Sequence, residues 1–127
     1  QWVNVPGMDL FNTLKWVFPN LPILAEDLGV ITPDVEALRD HFGFPGMRIL
    51  QFAWGGDAKN IDLPHNYIPN SCVYTGTHDN DTTVGWFNSV AGRGSGRDAE
   101  QIKKETDFCK KYLQTDGTEI HWDFIRA

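Results

Sequence analysis

The sequence has no long hydrophobic run and no excess of positive charge. Its 127 residues include 11 Lys and Arg against 17 Asp and Glu, and 11 − 17 gives a net charge of −6. Nucleic acids and anionic membrane surfaces both attract clustered cationic side chains, so the acidic balance argues against both kinds of partner. The longest apolar stretches, such as residues 21–25, have the length of a strand, whereas a membrane span needs roughly 18 residues. We therefore expect no nucleic acid and no membrane among the partners.

Cysteine is also scarce. The two cysteines, Cys72 and Cys109, lie in unlike local contexts and form no CxxC pair, so the sequence indicates neither a zinc or redox motif nor a disulfide framework. Two small buried thiols in a reducing compartment are the simplest interpretation.

The two ends of the chain lack the usual signals of a complete domain. The sequence begins at Gln1 without a Met, and it ends at Ala127 inside an apolar-periodic stretch with no Gly, Asn or Pro stop signal. The length alone favours one domain. We expect residues 1–127 to be one partial domain of a longer protein, truncated at both ends.

Short apolar segments alternate with helical patterns. Residues 21–25, 47–52 and 72–74 have the apolar character of strands buried on both faces. A helix is predicted from the N-cap Thr32 and the N1 residue Pro33 to the C′ stop Gly43. Further helices are predicted over residues 10–17, 82–90 and 98–113 and after the N-cap Thr118.

This order of elements predicts an α/β fold with parallel βα units. Polar residues follow each predicted strand end: Glu26 with Asp27, then Gln51, then His78 with Asp79. Enzymes with a (β/α)8 barrel carry their chemistry at the carboxyl ends of the strands. A full barrel needs about 250 residues, so this chain would supply about half of one.

Glu26 is the first catalytic candidate, because a carboxyl at the end of a buried strand is partly desolvated and its pKa rises toward that of a general acid. The alternative is an exposed loop acid beside Asp27 that caps the next helix. Asp79, next to His78, is the second candidate. One alternative is that Asn80 or Asp81 caps the next helix. The other is a metal site, but the sequence contains no zinc motif, and we expect no metal.

Three further side chains are candidate substrate-binding groups. Gln51 ends a predicted strand, Trp54 lies in a glycine-rich loop where its ring could stack on a sugar, and His65 follows Pro64 in a loop. The alternatives are a hydrogen-bonded anchor for His65 and a core position for most of the tryptophans.

Several of these segments together resemble a known family, the 4-α-glucanotransferases (amylomaltase or disproportionating enzyme, glycoside hydrolase family 77), which are relatives of the α-amylases. The similar motifs lie at residues 25–32 (AEDLGVIT), 43–47 (GFPGM), 50–53 (LQFA), 63–66 (LPHN) and 74–83 (YTGTHDNDTT). The resemblance is dense up to Trp86 and weak from Asn88 to Gly117. One departure is Trp54, where the family usually carries Phe.

The resemblance implies a (β/α)8 barrel of which this chain would supply strands five to seven and the helices that follow them. It implies a retaining transfer of α-1,4-glucan segments with Glu26 as acid/base, Asp79 as a stabilising carboxylate and His78 in contact with the same sugar. We then expect Glu26 and Asp79 to face a common cleft. No cofactor is implied, the substrate is an α-1,4-glucan or maltooligosaccharide, and the location is cytoplasmic, or plastidic in a plant or alga.

The family's nucleophile is an Asp in an Arg-x-Asp-His segment, and this sequence contains no such segment. We therefore expect the isolated chain to be inactive. Two other functions stay open at this point: an α-amylase-type hydrolase, and a glucan-binding module without turnover.

Overall fold

The computed structural model describes Val3, residues 5–93 and residues 96–127. Strands β1 and β2 pair in a two-stranded sheet, so the fold is α/β, as predicted. The elements are α1 (Gly7–Val17), α2 (Pro33–His41), β1 (Gly46–Ile49), β2 (Ser71–Tyr74), α3 (Thr83–Phe87), α4 (Ala99–Leu113) and α5 (Ile120–Arg126), with short 3-10 helices at Leu50–Gly55 and Pro64–Asn66.

The chain divides into two compact units. Unit 1 comprises Gln1–Met47 and Pro69–Cys72, and unit 2 comprises Arg48–Ile68 and Val73–Ala127. Glu26 belongs to unit 1, whereas Asp79 belongs to unit 2.

Helix α2 begins and ends where its sequence signals predict. Thr32 is the N-cap with extended backbone, and Pro33 occupies the first turn, where its missing N–H costs no hydrogen bond. Gly43 has a φ of +69°, a left-handed conformation that glycine adopts without strain and that commonly ends a helix.

Helix α4 has a complete capping box. The Asp98 side chain accepts a hydrogen bond from the Gln101 backbone N–H at 2.8 Å, and the Gln101 side chain accepts one from the Asp98 N–H at 3.1 Å. The apolar face of this helix includes Cys109, which is buried, and Tyr112, which packs against the core.

Other predicted boundaries are wrong. Residues 21–25, all of which the structure describes, form no strand, and Leu21 and Leu24 are exposed rather than buried. The second predicted strand ends at Ile49, since the chain turns into the 3-10 helix Leu50–Gly55. Helix α3 is shorter than predicted, and α5 takes Glu119 rather than Thr118 as its N-cap.

Unit 2 contains the main hydrophobic core. The 3-10 helix Leu50–Gly55 contributes Leu50, Ala53 and Trp54 to this core, and α4 packs against this helix. The buried members are Leu50, Ala53, Trp54, Leu63, Trp86, Cys109, Ile120 and Phe124.

In the described part of the chain, no helix combines the length and the apolar character that crossing a membrane would require.

Candidate functional site

Glu26 lies in unit 1, in the segment between α1 and α2, and is exposed to solvent. The predicted desolvation of this carboxyl by a buried strand is therefore wrong. Hydrogen bonds hold the backbone on either side of it. The Ala25 N–H donates to the Pro45 carbonyl at 2.9 Å, and the Met47 N–H donates to Asp27 Oδ1 at 2.6 Å.

Asp27, the residue after Glu26, is buried, with a side chain only 5% exposed. Its second carboxylate oxygen is paired with Nη1 of Arg39 on α2, whose other terminal nitrogen lies 2.7 Å from Asp40 Oδ1. Burial alone would lower the pKa of Arg39, but the carboxylates of Asp40 and Asp27 raise it above its ordinary value. Sequence reasoning missed this pair, because nothing in the apolar spacing connects a loop acid to a helical arginine.

Because Gly46, at the start of β1, has no side chain, there is room for the Asp27 carboxylate beside it. A Cβ atom at this position would collide with the carboxylate. The Gly at residue 46 is therefore explained by packing, not by an unusual backbone angle.

Asp79 and His78 lie in unit 2, in the turn after β2. The Asn80 side chain closes this turn, because its Oδ1 accepts from the Thr77 N–H at 2.8 Å and from the Thr77 hydroxyl at 2.9 Å. Both site candidates project into solvent, His78 with 85% and Asp79 with 78% of its side chain exposed. His78 Nε2 lies 3.2 Å from Asp79 Oδ1, so the two side chains form a local pair.

Thr82, rather than Asn80 or Asp81, caps helix α3. Its hydroxyl accepts a hydrogen bond from the Gly85 N–H at 3.0 Å and so caps α3. Asp81 instead accepts from the Thr82 N–H at 2.7 Å. Asp79 is consequently not needed as a helix cap.

Gln51 connects the 3-10 helix after β1 to the same turn. Its side chain is buried, and Nε2 donates to the Asp81 carbonyl at 2.8 Å. A Cβ atom at Gly76 would lie 2.6 Å from this Nε2, so the turn passes close over Gln51. Within unit 2, Gln51 and Asp79 line one polar cleft of about 540 Å³.

Arg97 is a further cleft residue that sequence reasoning missed. Its Nη1 lies 2.5 Å from Glu105 Oε2, and its Nη2 donates to the Trp86 carbonyl at 2.7 Å and to Ser89 Oγ at 2.6 Å. The guanidinium also lies 5.0 Å from the centre of the Trp86 ring. The cleft that contains the Asp79 carboxylate therefore also has a cationic group, fixed by several partners.

The structure bears on two of the substrate-binding predictions, those for Trp54 and His65. The predicted exposed stacking surface at Trp54 is wrong, because this side chain is 1% exposed and its ring packs in the core. His65 is anchored within the chain, with Nδ1 2.7 Å from the Tyr112 hydroxyl and Nε2 2.9 Å from the Ala58 carbonyl. This matches the alternative given for His65, while its contact with substrate stays a prediction.

Among the described residues, no group of three or more His, Cys, Asp or Glu side chains has a geometry that could hold a metal ion. The exposed groups Glu26, His78 and Asp79 can exchange protons with a ligand or accept hydrogen bonds from its hydroxyls.

A family model described as 4-alpha-glucanotransferase, glycoside hydrolase family 77, matches residues 1–127. A 4-alpha-glucanotransferase from Thermus thermophilus is 58% identical over 92 residues, which cover 71% of this chain and 18% of that protein. A 4-alpha-glucanotransferase from Synechocystis is 51% identical over 131 residues, which cover 99% of this chain and 23% of that protein.

A solved amylomaltase from Streptococcus agalactiae in complex with acarbose has a similar fold. It superposes with a TM-score of 0.80 at 37% identity, over 99% of this chain and 24% of that one. The chain thus spans about a quarter or less of the lengths of these relatives.

Proposed function

This chain belongs to the 4-alpha-glucanotransferase family, glycoside hydrolase family 77, and we propose that it is part of an enzyme that transfers α-1,4-glucan segments between maltooligosaccharides. The observation that carries the proposal is the family match over all 127 residues, which includes the segments of Glu26 and Asp79. The solvent exposure of both carboxylates supports it, since a group that acts on a polymer must be accessible.

In the proposed reaction Glu26 acts first as an acid. The protonated Glu26 gives its proton to the leaving glycosidic oxygen as the bond from the anomeric carbon to that oxygen breaks. A nucleophilic Asp carboxylate from elsewhere in the full-length enzyme forms the new bond to the anomeric carbon, which gives a covalent glycosyl-enzyme.

Glu26, now a carboxylate, acts as the base in the second step. It takes the proton from the 4-hydroxyl of an incoming glucan, whose oxygen attacks the anomeric carbon and displaces the nucleophile. The net change is one α-1,4 bond broken and one made, with the proton returned to Glu26. Because the acceptor is a sugar, transfer requires that water be kept from this position.

Asp79 acts as an ionised carboxylate that accepts hydrogen bonds from the hydroxyls of the reacting sugar. These bonds strengthen as positive charge grows on the ring, so Asp79 stabilises the transition state more than the bound substrate. His78 contacts the same sugar, and Gln51 and His65 are further binding groups.

We also propose that the chain supplies the fifth to seventh strands of a (β/α)8 barrel, as one partial catalytic domain. In that barrel β1 would be the sixth strand and β2 the seventh, and residues 21–25, which form no strand in this structure, would occupy the place of the fifth. The hydrogen bond from Ala25 to Pro45, next to β1, supports an extended segment there. The proposed location is the cytoplasm, or a plastid in a plant or alga, and the mechanism requires neither metal nor cofactor.

The test is to incubate the full-length enzyme with maltotriose and separate the products. Transfer yields glucose together with longer oligosaccharides, at a constant number of reducing ends. A rise in reducing ends without longer products would show an α-amylase-type hydrolase instead. Unchanged maltotriose, despite measurable binding, would show a glucan-binding module.

A further inference from the structure

Glu26 lies between two hydrogen bonds, one to Pro45, just before β1, and one to Met47, within β1. The residue before it donates its N–H to the Pro45 carbonyl at 2.9 Å. The residue after it, Asp27, accepts from the Met47 N–H at 2.6 Å through its side chain. Exposure alternates along this stretch, with Glu26 in solvent and Asp27 buried, as expected where successive side chains point to opposite sides of an extended chain.

The buried side of this stretch is fixed by charge. Asp27 is 5% and Arg39 is 11% exposed, and the two form an ion pair in addition to the Met47 hydrogen bond. Removing Arg39 would leave the Asp27 carboxylate, whose side chain is buried, without this counter-charge, which makes the pair intolerant of losing Arg39. The Asp27 carboxylate therefore contacts both Arg39 on α2 and the Met47 N–H in β1.

We propose that Asp27 and Arg39 are positioning residues for Glu26, and this proposal rests on the proposed function. The ion pair holds the Asp27 side chain on the buried side, so the adjacent Glu26 carboxyl is held on the opposite, solvent side. Arg39 itself touches no substrate in this proposal. It acts through Asp27 on the orientation of the acid/base group.

The experiment compares two substrates in the full-length enzyme. Maltotriose needs a proton from Glu26 to release its leaving group, whereas α-maltosyl fluoride releases fluoride with little such help. Arg39→Met removes the charge at similar side-chain length. A displacement of about 1 Å can cost about 100-fold in rate, so we expect a loss of about that size on maltotriose, with the first-turnover release of fluoride changed far less.

Two further variants keep the test decisive if Arg39→Met does not fold. Arg39→Lys retains the charge and should restore part of the maltotriose rate. Asp27→Asn retains the shape and should show the same selective loss as Arg39→Met. Asp40→Asn is the matched control, because it removes the exposed carboxylate partner of Arg39 and leaves Asp27 paired. Thermal unfolding and near-UV circular dichroism of each variant establish that it is folded.

A selective loss on maltotriose with partial recovery in Arg39→Lys supports the positioning role. Equal losses on both substrates, or a lowered unfolding temperature with unchanged rates, would overturn it and leave the pair as a structural feature. The role of Glu26 is tested in the same series by Glu26→Gln. An active Glu26→Gln enzyme would overturn the proposed function and the positioning role together, whereas an inactive one beside an unaffected Arg39→Met would overturn the positioning role alone.

Discussion

The two units hold the segments of their candidate carboxylates, Glu26 and Asp79, through different kinds of interaction. In unit 1, helices α1 and α2 have no buried residue, and the stretch around Glu26 depends on the ion pair of Asp27 with Arg39 and on backbone hydrogen bonds. In unit 2, the turn that carries Asp79 is held by neutral amide and hydroxyl groups, and its anchor Gln51 belongs to a 3-10 helix that packs in an aromatic core.

This difference determines what each site can tolerate. Loss of the Arg39 charge leaves the Asp27 carboxylate, whose side chain is buried, without this counter-charge. A turn held by neutral hydrogen bonds loses only about 1 kcal/mol per bond. We therefore expect substitutions that remove a charge to disturb the Glu26 segment most. Substitutions that remove a hydrogen-bonding amide should disturb the Asp79 turn.

The largest effect is expected for Glu26→Gln in the full-length enzyme. The amide keeps the shape of the carboxyl but can neither give nor take the proton, and general acid–base catalysis is worth about 10²–10⁴-fold. The rate of maltotriose disproportionation should fall by a factor in that range with the protein still folded. If this variant unfolds instead, Glu26 is structural, and wild-type activity would contradict its assignment as the acid/base.

A smaller loss is expected for Asp79→Asn. Removing one group that stabilises the transition-state charge costs about 10²–10³-fold in kcat. Because the hydrogen bonds to Asp79 strengthen only as charge develops on the sugar ring, the KM for maltotriose should change much less than kcat. An increase in KM with kcat unchanged would mean that Asp79 contributes only to ground-state binding.

Asn80→Ala tests the neutral support of the Asp79 turn. The alanine removes the acceptor of both Thr77 hydrogen bonds, at a cost of about 1 kcal/mol each. We expect a modest loss of stability and a loss of activity smaller than for Asp79→Asn. Asn60→Ala is the matched control, because Asn60 also holds a turn of unit 2 through neutral hydrogen bonds, to the Phe52 and Ala53 carbonyls, but is not among the residues that line the cleft. Equal kcat values for the two variants would show that the turn does not depend on Asn80.

The smallest effect concerns the core of unit 2 and appears only in alkali. Burial raises the pKa of the Cys109 thiol from 9.0 to about 12. The unfolded chain therefore loses this proton first, so the contribution to stability is intact below pH 9.0 and falls as the pH rises towards about 12. Denaturant midpoints of the full-length enzyme between pH 8 and 10 should fall less steeply in Cys109→Ala than in the wild type. Equal slopes of denaturant midpoint against pH in Cys109→Ala and the wild type would contradict this role of Cys109.

Local signals in the sequence correctly predict where α2 begins and ends. Thr32 with Pro33 and Gly43 act through the backbone next to them, so their effect does not depend on the rest of the fold. The family motifs likewise point to Glu26, His78 and Asp79 without any structure.

Features that depend on a distant partner could not be predicted in this way. A strand at residues 21–25 requires a neighbouring strand to pair with, which apolar composition does not specify. Trp54 lies within the 3-10 helix Leu50–Gly55, which directs its ring into the core beside Tyr112, although Gly55 and Gly56 suggested an open loop. The pairing of Asp27 with Arg39 likewise arises only when α2 packs against the Glu26 segment.

The most direct test of the central proposal, that Glu26 is the acid/base of a retaining transferase, is rescue of Glu26→Ala by azide in the full-length enzyme. Azide is a small nucleophile that needs no deprotonation and can enter the space left by the carboxyl, where it attacks the glycosyl-enzyme from the side of the normal acceptor. With α-maltosyl fluoride as the donor, we expect azide to accelerate turnover and to yield α-maltosyl azide. A β-configured azide, or no acceleration by azide in a folded variant, would contradict the assignment of Glu26.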